Sequence, residues 1–373
     1  MRSMTANSII VETVHAIEGL EVPHDAALNS AKQRQAQLTK PVGSLGKLEL
    51  LALRVAGITG NMSPVLKNKI IYIAAGEHGV TDENISAYPQ TVTPQMVSNF
   101  LSGGAAINVL ANQLGIGVLV VNAGVYGDFA PHDMLIDIGI PTRTANIRTG
   151  PAMTNDVAAE IVSKGIELIS SRHVDEHIDI VGLGEMGIGN STSASAIISA
   201  NSKLDPMYTT GIGTGLDEAG HQRKIQVIRD ALEINHTVLN KIYSDPIEKS
   251  LSYLAAVGGH EIAALTGIAL GAAANRIPIV ADGLISTAAI LLAQIAQPKL
   301  ANFVITSHSS TEPGHSIALD SMQLDHPLLD LEMRLGEGTG AALAIGFCDL
   351  ACHLLNDMST FDEAEVDQSN QSK

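Results

Sequence analysis

Residues 177–192 read HIDIVGLGEMGIGNST, and this passage sets the pattern for the whole chain. A short β-branched apolar run comes first, glycines follow it, and an Ala/Ser-rich helical segment comes next. Four further runs have the same form, each followed by polar or glycine-rich residues and then by a helical pattern: 69–75, 117–122, 277–281 and 302–307. Because strands that alternate with helices build βαβ units, the sequence predicts an α/β fold with a parallel sheet.

Helical patterns lie between these runs and also fill both ends of the chain. The segments concerned are 45–57, 156–170, 216–241, 261–275 and 339–356. Ser44 is the predicted cap of the first, and Thr154 and Asn155 are predicted to open the second, since their side-chain oxygens can accept a hydrogen bond from a helix N–H group. The two chain ends contain no strand pattern. We therefore expect a large α/β domain over 60–345 and a small helical subdomain built from both termini, 1–59 plus 346–373.

The composition is that of an acidic globular protein. Of the 373 residues 45% are hydrophobic, so the chain can bury a sizeable core, and the formal net charge is −17. That charge repels polyphosphate backbones, and no Lys/Arg block with interleaved aromatics counters it locally, so no nucleic-acid partner is expected. A small anionic substrate is still allowed, because helix N-termini and one well-placed lysine can bind a phosphate group.

The two cysteines and the N-terminus bear on location and on metals. Cys348 and Cys352 lie in one apolar helical run, so a disulfide framework is excluded and a reducing cytoplasm is expected. No second ligand pair has the spacing of a zinc site, so buried packing is the preferred interpretation of both thiols and no metal is expected. The N-terminus shows no signal-peptide pattern, and the apolar stretch 284–296 is too short to span a bilayer. We therefore expect a cytoplasmic protein without a membrane partner.

Two glycine-rich turns are candidates for binding a phosphate group. The first, GEMGIGNST over 184–192, opens a helix whose free N–H groups point at any anion placed there. The second, GIGTG over 211–215, precedes a helix that carries Lys224. The alternative interpretation of Lys224 on its own is a solvated charge on a helix surface. The alternative for the glycine-rich strand-to-helix turn is a turn that binds no ligand. The two turns and the lysine together favour a site for one phosphate.

The first turn also satisfies the G-x-G-x-x-G pattern of dinucleotide-binding domains. Gly182, Gly184 and Gly187 supply the glycines, and Asp205 lies about twenty residues further on. The match is weak, because the fingerprint normally opens such a domain whereas this one follows two earlier strands. Asp205 also lies in a loop-like LDP sequence. A nicotinamide-dependent oxidoreductase is nevertheless an alternative that the sequence leaves open.

A polar passage directly follows the strand pattern of 69–75. Residues 76–99 contain Glu77, His78 and the segment SAYPQ (86–90). Since ligands gather beyond the carboxyl ends of parallel strands, this passage is placed to line a pocket. His78 can act as a general base, but a histidine that is simply hydrogen-bonded is the preferred interpretation.

An acidic candidate lies in RLGEGTG (334–340), at the start of an Ala-rich helix. Glu337 is flanked by glycines with only apolar residues beyond, a setting that can tune the pKa of a carboxyl group. The alternative is an acid stabilised by the dipole of the helix N-terminus. The chain has no P-loop, no G-x-S-x-G elbow and no His-Glu-x-x-His motif, so those chemistries lack their usual signatures.

Together these segments resemble one family, the nicotinate-nucleotide:dimethylbenzimidazole phosphoribosyltransferases, which make α-ribazole phosphate for the lower loop of cobamides. The matching segments run in family order across residues 10–362: KPVGSLGKLE (40–49), HGVTDENISAYPQTVTPQMVSNFLSGGAAINVLA (78–111), GPAMT (150–154), GEMGIGNST (184–192), GTGLDEAGHQRK (213–224), GGHEIAAL (258–265), DGLISTAA (282–289), SHSSTEPGH (307–315) and RLGEGTGAALAI (334–345). Such a set is far more specific than any single glycine motif.

The resemblance implies a doubly wound α/β domain, a smaller helical part from both chain ends, and a dimer. It implies that Glu337 is the catalytic general base. It further implies nucleotide binding by Glu185, Gly187, Gly189, Asn190, Gly213, Lys224 and Ser310, and aromatic-base binding by Ser86, Tyr88, Gln95 and Leu335. The expected substrates are nicotinate mononucleotide and an aromatic base, with no cofactor and no metal.

The chain departs from the family pattern at three positions. Family members usually have Asp at the position of Glu77, Asp at that of Asn122, and an aromatic residue at that of His260. These changes leave Glu337 and the phosphate segments intact, but they bear on base preference and on the partner chain. A related branch works as a paired heteromeric enzyme that also accepts phenols. A homodimer, a heterodimer with a paralogous subunit, and a non-catalytic member of such a pair therefore all stay open.

Overall fold

The computed structural model describes residues 4–367, which contain one six-stranded sheet with all strands parallel. The strands are β1 (Lys69–Ala75), β2 (Gly117–Asn122), β3 (Leu135–Asp137), β4 (Ile180–Met186), β5 (Ile279–Ala281) and β6 (Val304–Thr306). Their order across the sheet is β3-β2-β1-β4-β5-β6. This doubly wound order confirms the predicted fold class and places the topological switch point between β1 and β4.

Helices cover both faces of the sheet. They are α1 (Ala6–Glu18), α2 (Asp25–Gln37), α3 (Lys47–Thr59), α4 (Val92–Leu101), α5 (Ala106–Leu114), α6 (Asn155–Glu176), α7 (Asn190–Ser202), α8 (Pro206–Thr209), α9 (Glu218–Ile234), α10 (His236–Leu239), α11 (Pro246–Val257), α12 (His260–Ala274), α13 (Leu284–Ala296), α14 (Pro313–Ser321) and α15 (Thr339–Asp357). Two short 3-10 helices, Gly79–Glu83 and Pro298–Phe303, complete the elements.

Alternate residues of β1 enter two separate hydrophobic cores. Tyr72 packs in the core that contains α6, α12 and α13, whereas Ile71 and Ile73 pack in the core that contains α3, α5 and α15. All three side chains are fully buried. Because successive side chains of a strand point to opposite faces, a strand covered on both faces reads as a continuous apolar run. This explains why KIIYIAA shows no polar alternation.

The observed strands differ from the predicted ones in length and number. β4 begins at Ile180 and continues to Met186, so Gly182 and Gly184 lie inside the strand and not in the turn after it. β5 and β6 have three residues each, fewer than the predicted runs. The edge strand β3 is missing from the sequence prediction, because three residues are too few to show a periodic pattern.

The helix starts also correct the prediction in part. α3 has Gly46 at its N-cap with a φ of 55°, a conformation outside the helix, so Ser44 lies in the preceding turn and does not cap. Of the two residues predicted to open α6, Thr154 is its cap and Asn155 is its first residue. The predicted helix over 216–241 divides into α9 and α10, and its cap is Asp217, whose side chain accepts a backbone N–H of the first turn.

The two chain ends pack in different places. α1 lies against α6 and α12, whereas α2 and α3 pack against α15. α15 runs without a break past residue 345, where the sequence analysis sets the domain boundary, and the boundary stays a prediction. Residues 1–3 and 368–373 of the proposed helical subdomain lie outside the described residues.

Helix α15 is the one described helix that is long and apolar enough to cross a membrane, and it packs here as a core helix against α3 and α5. Cys348 and Cys352 lie on its buried side, and burial raises the pKa of both thiols. Within residues 4–367, no three His, Cys, Asp or Glu side chains are grouped so that they could hold a metal ion.

Candidate active site

A cleft of about 670 Å³ opens at the carboxyl end of β4. Parallel pairing sets Ala75 opposite both Asn122 and Met186, so the segments that leave β1, β2 and β4 start at the same edge of the sheet. Of the predicted site residues, the wall of the cleft contains Tyr88, Glu185, Gly187, Asn190, Gly213, Leu335 and Glu337. Residues far apart in the sequence are thus gathered at the switch point of the sheet, where ligands bind in such folds.

Glu337 lies in a left-handed turn on this wall. Its φ is 61°, and those of Gly336 and Gly338 are 84° and 83°. A non-glycine residue in this region carries strain of about 1–3 kcal/mol, which persists only where the surroundings impose it. Of the three residues, Glu337 alone has a side chain, and it is 6% exposed. The turn therefore presents one carboxyl group to the cleft.

Asp282 holds this turn in place. Its carboxylate accepts the N–H groups of Gly338 at 3.0 Å, Gly340 at 2.7 Å and Ala341 at 3.1 Å. These N–H groups at the start of α15 have no partner within their own helix, so the buried carboxylate both caps the helix and fixes the position at which Glu337 emerges. Asp282 directly follows β5, and the sequence analysis gives it no role although it opens the DGLISTAA segment.

Two carboxyl groups on the wall have raised pKa values. Burial, with the charge of Asp282 as the second cause, raises the pKa of Glu337 to about 7. Burial and the charges of Asp282 and Glu261 raise the pKa of Glu185 to about 8, against a hydrogen bond from Asn190 that lowers it. An acid stabilised only by a helix dipole would shift the other way. A carboxyl group that titrates near neutrality suits proton transfer.

Gly187 and Gly189 form the turn between β4 and α7. Gly187 lies so close to Gly76, at the end of β1, that a Cβ would overlap the Gly76 carbonyl oxygen. Gly189 is the N-cap of α7, with a φ of 100° that favours glycine. The start of α7 thus faces the cleft without a capping side chain in front of it, as an anion site requires.

Lys224 lies behind the wall and not on it. It is 1% exposed, and its Nζ donates to Ser191 Oγ at 2.9 Å and to the carbonyl oxygen of Gly211 at 3.4 Å. Burial lowers its pKa to about 8, while the Glu312 carboxylate raises it. Ser191 and Gly213, which lie next to Lys224, are both on the wall, so the ammonium group acts on the cleft through them.

Glu312 is a site residue to which the sequence analysis gives no role. It lies on the wall, its Oε1 accepts the N–H of Gly213 at 3.0 Å, and its carboxylate packs against Gly211. It therefore fixes the GIGTG turn. Ser310, a predicted nucleotide-binding residue, is half-buried outside the wall, where its Oγ accepts the N–H of Glu312 at 3.4 Å.

The predicted base-binding residues lie at different depths. Tyr88 and Leu335 are on the wall and more than half exposed. Ser86 lies one layer behind the wall, where its hydroxyl is 3.2 Å from Thr214 Oγ1. The first two can contact a ring in the cleft directly, whereas Ser86 acts through its neighbours.

The side of α4 that faces the cleft differs from the prediction. Val92 and Met96 are on the wall, and Gln95 is exposed outside it. Residues four apart share one face of a helix, so 92 and 96 face the cleft together, whereas 95 lies about 100° around the helix from 96. Ile285 at the start of α13 adds a further apolar contact. A helical-wheel reading of 92–101 could have found the two residues on α4.

His78 is hydrogen-bonded through both ring nitrogens, which confirms the preferred interpretation. Nε2 lies 2.8 Å from Glu261 Oε1 and Nδ1 lies 3.2 Å from Ser193 Oγ, and the ring is 0% exposed. It is not on the wall of the cleft. Buried beneath the Gly187 turn, His78 supports the site and has no access to a substrate.

None of the three positions at which the chain is expected to depart from the resembled family, Glu77, Asn122 and His260, lies on the wall. Glu77 Oε2 accepts a hydrogen bond from the side chain of Gln90 at 2.9 Å, at the end of the SAYPQ segment. Asn122 Oδ1 accepts the N–H of Val125 at 2.8 Å and closes the loop after β2. His260 is buried at the start of α12, and burial lowers its pKa to about 4. Glu77 and Asn122 therefore hold loops beside the cleft by hydrogen bonds and do not line the cleft themselves.

The glycines that match the dinucleotide pattern have a packing role. Within β4, Gly182 faces Ile71, whose Cγ1 would lie 2.8 Å from an added Cβ, and Gly184 faces the backbone of the Glu337 turn. Asp205 is paired with Arg229 at 2.7 Å and caps α8, so it is not free to bind a ribose. The glycines of this pattern allow close packing of β4 at the switch point. The oxidoreductase alternative, which depended on them, loses its support.

Comparisons with known proteins show the chain to be similar to phosphoribosyltransferases. A phosphoribosyltransferase family model matches residues 20–366. The nicotinate-nucleotide–dimethylbenzimidazole phosphoribosyltransferase of Chloroflexus aggregans is 44% identical over 365 residues, 98% of this chain and 100% of the relative, and that of Geobacter sulfurreducens is 46% identical over 347 residues, 92% of this chain and 95% of the relative. The crystal structure of CobT from Thermus thermophilus is 40% identical, covers 92% of this chain and 100% of its own, and superposes with a TM-score of 0.83.

Proposed function

The chain belongs to the nicotinate-nucleotide–dimethylbenzimidazole phosphoribosyltransferase family, and from this premise we propose how it acts. It transfers the phosphoribosyl group of nicotinate mononucleotide to 5,6-dimethylbenzimidazole or a related aromatic base, with Glu337 as the general base. The products are an α-ribosyl phosphate and nicotinate.

The observation that carries this proposal is that one cleft contains both halves of the required machinery. Glu337, the proton acceptor, shares its wall with Gly187 and Gly213, the turns suited to a phosphate. A carboxyl group remote from those turns would have no sugar carbon to act on.

The chemistry follows from the charge of the leaving group. The C1′–N bond of nicotinate mononucleotide breaks with its electron pair going to the positively charged pyridinium nitrogen, which leaves as a neutral ring nitrogen. The unprotonated azole nitrogen forms the new bond to C1′ from the opposite face, which inverts the configuration. Glu337 takes the proton from the other azole nitrogen, and its pKa of about 7 keeps a large fraction ionised at neutral pH.

The phosphate group fixes the sugar without taking part in bond changes. We assign it to the start of α7 at Gly187, Gly189 and Asn190, beside Gly213, with Lys224 supplying positive charge from behind through Ser191. Such positioning contributes roughly 7–11 kcal/mol in the best cases, because the reacting atoms are held in place before reaction.

The base side of the cleft is apolar. Val92, Met96, Ile285 and Leu335 are on the wall together with the ring of Tyr88. Flat aromatic ligands bind in such surroundings, and the two methyl groups of 5,6-dimethylbenzimidazole gain from the burial. A phenol would fit the same surface, and Glu337 would then take its hydroxyl proton.

We also propose that the active form contains two chains, either two copies of this one or this chain with a paralogous subunit. The support for two chains is the resemblance to the family. The carboxyl group of Glu337 in a strained turn favours this chain as a catalytic one, since a non-catalytic subunit has no chemical need for it. Light scattering after gel filtration distinguishes a monomer from a dimer.

The direct test is to incubate the purified chain alone with nicotinate mononucleotide and 5,6-dimethylbenzimidazole, and to measure released nicotinate and α-ribosyl phosphate by mass spectrometry. Release of nicotinate that requires the base supports the proposal. Reduction of NAD in the presence of alcohols would contradict it, and so would absence of turnover with every azole and phenol both without and with a paralogous chain. Turnover only after a paralogous chain is added would select the heterodimer.

A further inference from the structure

Two loops over the cleft are joined by hydrogen bonds, and the junction is a side chain with no assigned role. Thr214, in the GIGTG turn, accepts the N–H of Ala87 at 3.2 Å, and its Oγ1 also lies 3.2 Å from Ser86 Oγ. The Ser86 hydroxyl in turn accepts the N–H of Tyr88 at 3.2 Å. Thr214 therefore contacts Ser86 and Ala87 directly and Tyr88 through the Ser86 hydroxyl.

The two loops belong to different substrates in the proposed function, on which this inference rests. Residues 86–88, here called the base loop, carry Tyr88 on the wall beside the aromatic base. The GIGTG turn carries Gly213 on the wall at the phosphate side, next to Lys224. The junction at Thr214 is thus a direct side-chain contact between the GIGTG turn and the base loop.

Each loop is also held from outside the junction. Arg223 Nη1 donates to the carbonyl oxygen of Asn84 at 3.2 Å, and Arg334 Nη1 donates to that of Gly213 at 3.0 Å. In the GIGTG turn itself, Gly213 and Gly215 both have positive φ values, 54° and 105°. A glycine-rich turn has more conformational freedom to lose on ligand binding than other segments have.

From these contacts we propose that Thr214 couples the two substrates, so that binding of nicotinate mononucleotide increases the affinity for the aromatic base. The nucleotide orders the GIGTG turn, and through Thr214 it also orders the base loop. The base then binds a loop that has already lost its freedom, which is positive cooperativity without a large structural change. Thermodynamic linkage requires that the base increase the affinity for the nucleotide by the same factor.

The test uses the Glu337→Gln chain, in which turnover is slowed enough for both substrates to occupy the cleft during a titration. Calorimetry gives the Kd of 5,6-dimethylbenzimidazole without and with saturating nicotinate mononucleotide, and the ratio of the two is the coupling factor. Thr214→Val has the same shape but no hydroxyl, and we expect the factor to fall roughly five-fold, as loss of about 1 kcal/mol of hydrogen bonding predicts. Thr214→Ser restores the hydroxyl and should restore the factor.

Because the coupling factor is a ratio, a direct contact between Thr214 and either substrate cancels from it. Thr237→Val, on exposed α10 and outside the cleft wall, is the matched control and should leave the factor unchanged. An unchanged factor in Thr214→Val overturns the proposal, and so does the absence of coupling in the parent chain. Failure of the proposed function is seen separately, as absence of nicotinate release by the chain with Glu337 intact.

Discussion

The backbone of Glu337 lies against Gly184 so closely that no side chain fits between them. A Cβ added to Gly184 would lie 2.7 Å from both the carbonyl carbon and the carbonyl oxygen of Glu337, and 2.8 Å from the nitrogen of Gly338. Real Cβ atoms do not approach backbone so closely. Gly184 in the central strand β4 therefore determines how deep in the cleft the Glu337 turn can lie.

Gly184→Ala is accordingly expected to displace the Glu337 turn and to lower kcat by roughly 100-fold, since misplacement by about 1 Å can cost that much. Gly117→Ala is the matched control, because a Cβ at this strand glycine of β2 meets nothing nearer than 3.6 Å. Steady-state kinetics and thermal melting of both variants check the expectation. A Gly184→Ala chain with the activity of Gly117→Ala would show that the turn tolerates the shift.

Glu337→Gln removes the carboxyl group proposed as the proton acceptor while keeping the size of the side chain. We expect kcat to fall by about 10²–10⁴-fold, the usual contribution of a positioned general base, and the Kd for nicotinate mononucleotide to stay within about two-fold. Released nicotinate and calorimetric binding are the two measurements. A variant with a near-native rate would remove Glu337 from the mechanism, and a variant that lost the nucleotide would make it a binding residue instead.

The pH dependence of the reaction should report the buried carboxyl group. Burial and Asp282 raise the pKa of Glu337 from 4.5 to about 7, so the ionised base accumulates only as the pH rises through about 7. We expect the acid limb of the kcat/KM profile near pH 7. A limb near pH 4.5 would indicate an ordinary solvated acid.

The raised pKa of Glu337 also makes the free energy of unfolding depend on pH, in the direction opposite to that of carboxyl groups whose pKa is lowered by folding. Because the folded pKa of Glu337 is the higher one, the folded state binds more protons between pH 4.5 and about 7, and the free energy of unfolding falls as the pH rises through this range. The melting temperature of Glu337→Gln should depend less on pH in this range than that of the unchanged chain. Unchanged melting profiles would contradict the raised value.

The sequence predicts the fold well because the signal is local. Four of the five apolar runs contain a whole strand, the fifth, 177–183, overlaps the first part of β4, and Thr154 caps α6. The failures have local causes too, since the edge strand β3 is too short for a pattern and Gly46 ends the turn before α3 without help from Ser44.

The site is less predictable because it depends on partners distant in sequence. Gly184 matches a ligand motif, but a side chain is excluded there because the backbone of Glu337, more than 150 residues further on, lies against it. Asp282 and Glu312 act on the backbone of other segments, and no spacing rule reveals such contacts. Position after a predicted strand is the signal that could have found Asp282, as it found Glu77 and His78.

Asp282 provides a test that separates positioning from mere stability. Asp282→Asn keeps the volume but replaces one acceptor oxygen by an NH₂ group facing backbone N–H donors, so the turn loosens and kcat should fall about 10- to 100-fold. The substitution also removes a charge that raises the pKa of Glu337, so the acid limb should move to lower pH. Asp137→Asn is the control: Asp137 ends a parallel strand and accepts the N–H of Gly139 at 2.7 Å, but it is exposed and outside the cleft wall. If Asp282→Asn only lowered the melting temperature, with kcat and the acid limb unchanged, its role would be structural alone.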